Sequence, residues 1–217
     1  MIKLKDITLV CVTSVHIQES VNSMLASSND IEFAKLKLIT SEDVNVDSKI
    51  EVEKCRKLHS LDEYSHYMIY DLYKHVDTEF CLIVHHDGFV THPHLWTYDY
   101  LKYDYIGAPW PIDDCFLDPN GNGKHIRMGN GGFCLRSQKL LNTPNYEHIP
   151  FQSPTSNNED YLICVYNHEL YEKCGNKFAP FEVALTFSKE TPLPENENLD
   201  TFGVHRYKLS DFYKPDS

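Results

Sequence analysis

Apolar residues along this chain fall into short runs that stop on polar clusters, and the spacing within each run predicts an element. Ile7 to Val12 is β-branched and apolar and predicts a central strand. Ile17 to Leu25 predicts a helix, and Phe33 to Ile39 a second strand ending at Thr40-Ser41. This strand–helix–strand opening favours a parallel α/β sheet. The polar stretch Glu42 to Lys49 predicts a connecting loop. Leu58 to Val76 carries the longest helical signal: Leu61, Tyr64, Met68, Leu72 and Tyr73 form one apolar stripe, and Ser60 followed by Glu63 fits a capping box. Phe80 to Val84 then reads as a buried strand that stops abruptly on His85-His86-Asp87-Gly88.

Beyond that point the pattern is more irregular. Aromatic segments cover Leu95 to Leu101 and Tyr103 to Trp110, and Pro111 to Met128 shows little periodicity. The turn-rich Asp118 to Gly123 predicts a lid or binding loop. Gly129 to Arg136 returns to strand, and a polar loop runs on to Asn158. Glu159-Asp160 open a helix through about Cys174, Phe178 to Phe187 returns to the sheet, and Thr191 to Ser217 forms a polar tail.

Composition narrows the class. A chain of 217 residues is most simply one domain over residues 1–217, with a core of its own. Its 20 basic and 32 acidic residues (20 − 32 = −12) argue against a nucleic-acid or anionic-membrane surface, although a local basic pocket for a small phosphorylated ligand is compatible. No stretch approaches the roughly 20 apolar residues of a membrane span, and the start, Met1 to Asp6, lacks a signal-peptide layout. Seven scattered cysteines without a Cys-x-x-Cys pair suit reduced thiols in the cytoplasm. Cys55 and His59, and Cys164 and His168, have the spacing for a zinc site if the two pairs meet; free buried thiols are the simpler reading.

Candidate chemistry gathers where the apolar runs end. Ligands of open α/β sheets sit outside the carboxyl ends of the strands, and there His85, His86 and Asp87 can hold a divalent cation; a strand ending in a polar turn explains the same residues. The glycines around Asn130 allow close approach of backbone to a ligand. Glu159 and Asp160 suit a helix amino end, which needs no catalysis.

In order, His85-x-Asp87, the Gly129–Gly132 loop, Glu159-Asp160 and the late His205 resemble the Asp-x-Asp-like motif, glycine-rich loop, x-Glu-Asp helix and carboxy-terminal His of the metal-dependent A-type (GT-A) glycosyltransferases. More narrowly, Thr78-Glu79-Phe80, His86 to Val90, Tyr103 to Trp110, Gly129 to Phe133 and Phe202 to His205 look like a small bacterial and viral family of uncharacterised glycosyltransferase-like domains. The resemblance covers roughly Leu58 to His205. It implies a GT-A-like, Rossmann-like sheet, mixed and mostly parallel, flanked by helices. It also implies transfer of a sugar from a nucleotide-sugar donor, uridine-based (UDP) by expectation, to a glycan or glycolipid hydroxyl.

The same resemblance implies residue roles. Asp87 and His205 become metal ligands, with His85 standing where the first Asp of the motif is usual, and manganese is expected over magnesium because imidazole suits it better. Asp160, with Glu159 beside it, becomes the catalytic carboxylate that accepts the acceptor's proton. Thr13 and Ser14 fall where the fold holds base and ribose, with Tyr64, Ser65 and Tyr67 as further lining and His86 as an orienting neighbour. Arg56, Arg127, Arg206 and Lys208 are candidate phosphate partners in so acidic a chain, and Trp110, Asn130, Gly131 and Gly132 would shape the acceptor side. Nucleotidyl transfer is disfavoured, because Thr13-Ser14-Val15-His16 is not a glycine-rich phosphate loop. The competing reading is a catalytically inactive carbohydrate- or nucleotide-binding module on the same fold. Oligomeric state, a homo-oligomer included, stays open.

Overall fold

The computed structural model describes residues 1–119 and 123–213. Strand β1 (Ile2–Val12) leads through helix α1 (Ile17–Ser27) into β2 (Ile31–Thr40), which pairs parallel to β1. Strand β3 (Ile50–Lys54) adds parallel to the far side of β2. The sequence pattern does not show β3, because an edge strand written Ile-Glu-Val-Glu-Lys is largely exposed and carries only a weak apolar signal. Helix α2 (Leu61–Tyr70) begins at Ser60, whose hydroxyl accepts from Glu63 N, while the Glu63 carboxylate reaches back to His59 N rather than to Ser60. The helical signal ends sooner than Val76, breaking at Asp71 into a 3-10 turn over Leu72–His75.

Strand β4 (Phe80–Val84) lies parallel to β1 at the sheet's centre, and Leu9, Val10, Leu82 and Ile83 are wholly buried. After a turn the chain forms β5 (Gly88–Val90), then the two-residue strands β6 (Tyr105–Ile106), β7 (Ala108–Pro109) and β8 (Met128–Gly129). Strand β9 (Phe133–Ser137) runs antiparallel between β4 and β6, completing the order β3-β2-β1-β4-β9-β6. The sheet is thus mixed and mostly parallel, with helices against it.

Three expectations fail downstream. The loop expected after Arg136 contains helix α3 (Gln138–Tyr146), capped by the Ser137 hydroxyl; Pro144 near its end obscures the pattern. The helix expected from Glu159 is interrupted: α4 (Glu159–Tyr161), a π-helical turn over Leu162–Tyr166, and α5 (His168–Lys173). Phe178 to Phe187 does not return to the sheet. Phe178 makes one bridge to Tyr105, and Phe181–Phe187 is helix α6, starting after Pro180. Strand β10 (Ser188–Lys189) follows, and β11 (Gly203–His205) joins β10 to β5 in a separate small sheet.

All seven cysteines are free thiols. Among the described residues, the only group of three or more His, Cys, Asp or Glu side chains spaced to share a metal is His85, Asp87 and His205, so the two Cys–His pairs do not converge. No helix of the described residues is long and apolar enough to cross a membrane. The stretch expected to form a lid includes Asn120, Gly121 and Asn122, which lie outside the described residues, as do residues 214–217.

Candidate functional site

At the end of β4, His85 N donates to Gly132 O and Gly88 N closes a turn onto His85 O. Helix α1 fixes that turn: Ser23 Oγ donates to the His86 carbonyl, and Ser27 Oγ accepts from Val90 N. Strand β11 pairs antiparallel with β5, setting His205 opposite Gly88, and Tyr207 N donates to Asp87 O. Register alone therefore carries the late histidine to the carboxyl end of the central strand. His85, Asp87 and His205 each offer one ligand atom, all within 4.8 Å of one another.

The glycines explain how so much fits there. A Cβ on Gly88 would lie 2.3 Å from Gly132 O, and one on Gly132 would lie 2.0 Å from His205 Nε2. A Cβ on Gly131 would meet the Glu159 carboxylate at 2.0 Å. Asn130, at φ 94°, turns the loop, and its Oδ1 accepts from Gly132 N. Asn130, Gly131 and Gly132 are buried, with Gly131 packed against Glu159 and Gly132 against His205. His16 (φ 51°) and Arg206 (φ 65°) are the other described non-glycine residues with left-handed backbone, and all three border this site. Such clustering is where proteins hold strain for function.

Electrostatically the cluster is asymmetric. His205 Nε2 lies 3.4 Å from Asp87 Oδ1 and its Nδ1 lies 3.3 Å from Glu190 Oε1. Burial works against the His205 cation, but the two carboxylates outweigh it and lift the group to about 9. Burial likewise raises the Asp87 carboxyl, and His205 more than reverses this, holding it at about 2. His85 is pushed down to about 3 by burial and by the neighbouring His205 charge, so it stays neutral with a lone pair available. Its Nε2 shares a hydrogen bond of 2.7 Å with the Tyr64 hydroxyl. Asp87 Oδ1 and His205 Nδ1 are buried in these charge contacts but make no well-aligned hydrogen bond among the described residues. A poorly bonded carboxylate oxygen beside a neutral imidazole, and a second imidazole that would give up its proton on binding, is a donor set that fits a divalent ion.

One cavity borders the cluster at His85, and a second reaches it through Glu190, which contacts His205. The first, of about 400 Å³, is lined by the end of β1 including Thr13 and Ser14, by His16, by the start of α2 including Tyr64, and by His85 and His86. His86 stacks on His16 with centroids 4.4 Å apart. The other, of about 380 Å³, is lined by Trp110, Phe116, Asn158, Asp160, Glu190 and Arg206 among others. Trp110 stacks on Phe116 at 4.3 Å. Lys208 lines a smaller recess with His86, Asp87 and Glu19.

Other expected residues lie elsewhere. Ser65 is fully buried inside α2, and Tyr67 turns inward to bond His75 Nε2 at 2.6 Å; a helix shows only one side to the cavity, and Tyr64 occupies it. Arg56 is exposed and paired with Glu63 at 3.4 Å, outside the cavity lining. Arg127 pairs with Glu195 at 3.1 Å and covers the Phe181 ring, away from the cluster. Glu159 and Asp160 separate sharply. Glu159 is buried and pairs with the wholly buried Arg136 at 3.0 Å. Asp160 faces the Trp110 cavity, and burial together with the Glu159 charge raises its carboxyl to about 7.

Sequence reasoning missed Glu190 and Arg136. An arginine inside the apolar Phe133-Cys134-Leu135-Arg136 run was a signal, since a charge in a central strand requires a buried partner. Glu190 stands in a polar connector and carried no signal.

No curated protein sequence matches the chain. Among solved structures, similarity extends to a glycosyltransferase involved in the glycosylation of the major capsid of PBCV-1, with a TM-score of 0.51, 11% identity, and 92% of this chain and 91% of that chain covered. The mannosyltransferase PcManGT from Pyrobaculum calidifontis, solved with GDP-Man and Mn2+, gives 0.44 at 10% identity, covering 82% of this chain and 55% of its own. The glycosyltransferase GlyE of Streptococcus pneumoniae TIGR4 gives 0.44 at 13% identity, covering 94% and 55%. The fold is thus one that glycosyltransferases use. At sequence level, residues 48–205 match the family described as "Protein of unknown function (DUF5672)", a span running from just before β3 to the clustered histidine that ends β11, and the chain belongs to that family.

Proposed function

We propose that this chain, acting as one domain, moves a sugar from a nucleotide-sugar donor to a hydroxyl of a glycan or glycolipid. The observation that carries the reading is the convergence of His85, Asp87 and His205 at the end of the central strand, with His85 lining one cavity and Glu190, against His205, lining another. The shared fold with a glycosyltransferase supports it.

The β1-end cavity suits base and ribose: Thr13, Ser14 and Tyr64 offer hydroxyls, and the His16–His86 stack offers ring faces. The uridine of a UDP-sugar is assigned to it. Bound at the cluster, a divalent ion would offset charge building on the departing nucleoside diphosphate. A donor set of two imidazoles and one carboxylate favours manganese over magnesium. Lys208, beside Asp87 in its recess, is the phosphate partner.

Acceptor binding is assigned to the second cavity, where the stacked Trp110–Phe116 pair presents an aromatic wall to a sugar ring. Asp160 accepts the proton of the attacking hydroxyl, whose oxygen bonds the sugar's anomeric carbon as the bond to phosphate breaks. Its raised carboxyl, near 7, is matched to that task. Glu159, locked to Arg136, positions the loop and Asp160 and does not touch substrate. The free thiols fit a reducing, cytoplasmic setting.

Calorimetric titration of UDP and GDP with and without manganese, on wild type and Asp87→Asn, tests the assignment. Selective binding of UDP that manganese enhances and the variant loses is expected, followed by release of UDP from a UDP-sugar on addition of acceptor. Absence of nucleotide binding under both conditions would overturn it, and binding without any turnover would favour the inactive binding module.

A further inference from the structure

We propose that Glu190 is the positioning residue of the site: it holds the His205 ring so that Nε2, and not a ring carbon, faces Asp87 and His85. This role rests on the metal reading above. His205 has contacts on three sides. Its face lies against Gly132, its Nε2 is 3.4 Å from Asp87 Oδ1, and its Nδ1 is 3.3 Å from Glu190 Oε1. A turn of the ring about its Cβ–Cγ bond would exchange both nitrogens with ring carbons and break the Asp87 and Glu190 contacts together. Asp87 opposes that flip from the cluster side, and Glu190 opposes it from behind Nδ1, where it keeps doing so when Asp87 and Nε2 are both turned to an ion. An acceptor there also fixes the tautomer, placing the proton on Nδ1 and the lone pair on Nε2.

Glu190 is built for the task. It is nine-tenths buried, and its Oε1 is itself held by Arg206 Nε at 3.2 Å. Arg206 reaches back to it because the chain turns through a left-handed residue immediately after His205. Glu190 also lines the cavity that holds Trp110 and Asp160, so one carboxylate is shared between the cluster and that cavity. Glu190 is not among the side chains spaced to share an ion with Asp87 and His85, so it supports the site and is not a ligand of it.

The test is a double-mutant cycle read by calorimetric titration of manganese chloride into wild type, Glu190→Ala, His205→Ala and the double variant. Removing a carboxylate that orients a ligating histidine typically weakens metal binding about 10- to 100-fold. We expect that loss for Glu190→Ala, at least as large a loss for His205→Ala, and no further loss when the two are combined. Glu190→Met keeps the volume and removes the acceptor, and is expected to show the same loss if the alanine variant folds poorly by circular dichroism. Manganese affinity in both Glu190 variants within twofold of wild type, or a loss that repeats in full on the His205→Ala background, would overturn the role alone. A wild-type chain that takes up no manganese would overturn the metal reading and this role with it.

Discussion

The ring of His205 occupies the space that any side chain at position 132 would need: a Cβ there would stand 2.0 Å from Nε2 and 2.4 Å from Cδ2. Gly132→Ala is therefore expected to displace His205 while leaving the β4–β9 ladder intact. The variant should melt within a few degrees of wild type and lose manganese binding at least tenfold, both read on the purified protein.

Asp87 is the sole carboxylate of the cluster, and its anion is what keeps the His205 charge compensated from the Nε2 side. Asp87→Asn keeps the shape and removes that charge. Metal binding should fall below detection and transfer should drop by at least about 10²-fold. Near wild-type turnover at saturating metal would remove Asp87 from the metal site.

Asp160 sets the pH profile. With its carboxyl near 7, turnover should rise with pH up to about 7 and then level, and Asp160→Asn should lose about 10²- to 10⁴-fold in turnover with donor affinity unchanged. Stability runs the opposite way. A carboxyl whose folded pKa of about 7 exceeds its ordinary 3.8 binds its proton more tightly in the folded chain. Its contribution is present below about 4 and is lost as pH rises to 7. Asp160→Asn, uncharged throughout, should therefore melt above wild type at pH 8 and level with it near pH 4.

Arg136 and Glu159 form an ion pair with side chains 0% and 6% exposed. Removing one partner leaves the other buried and uncompensated, which costs about 3–5 kcal/mol in comparable pairs. Glu159→Ala should show that loss in urea unfolding, together with disorder of the loop over Gly131. A variant as stable as wild type would mean that Arg136 finds another acceptor.

A second network fastens the edge strand. Lys37, buried on β2, pairs with Glu53 of β3 at 2.6 Å and with Asp77 at 3.3 Å, and its Nζ donates to the His75 carbonyl. Lys37→Met should be better tolerated than the double variant Glu53→Ala/Asp77→Ala, because the former removes the buried charge and the latter leaves it without a carboxylate. Urea midpoints of the two variants decide between them.

The chain's local pattern determined the elements whose neighbours in space are also near in sequence or uniformly apolar. Strand β1, helix α1, strand β2 and strand β4 are runs whose burial is written in their own residues, and the stop at His85-His86-Asp87 marked the sheet end where the cluster forms. The signal faded where burial is partial or the helix irregular, as in exposed β3, in α3 with Pro144, and in the π-helical turn after Glu159. Resemblance to glycosyltransferases pointed to His205, but only the pairing of β11 with β5 brings it beside Asp87. Tertiary packing alone divided Glu159 from Asp160, by burying Arg136 beneath one and opening a cavity before the other, and it alone placed Glu190 behind His205. Periodicity reports which face of a segment is dry; which distant side chains meet on that face depends on register and crossing geometry, which no single segment encodes.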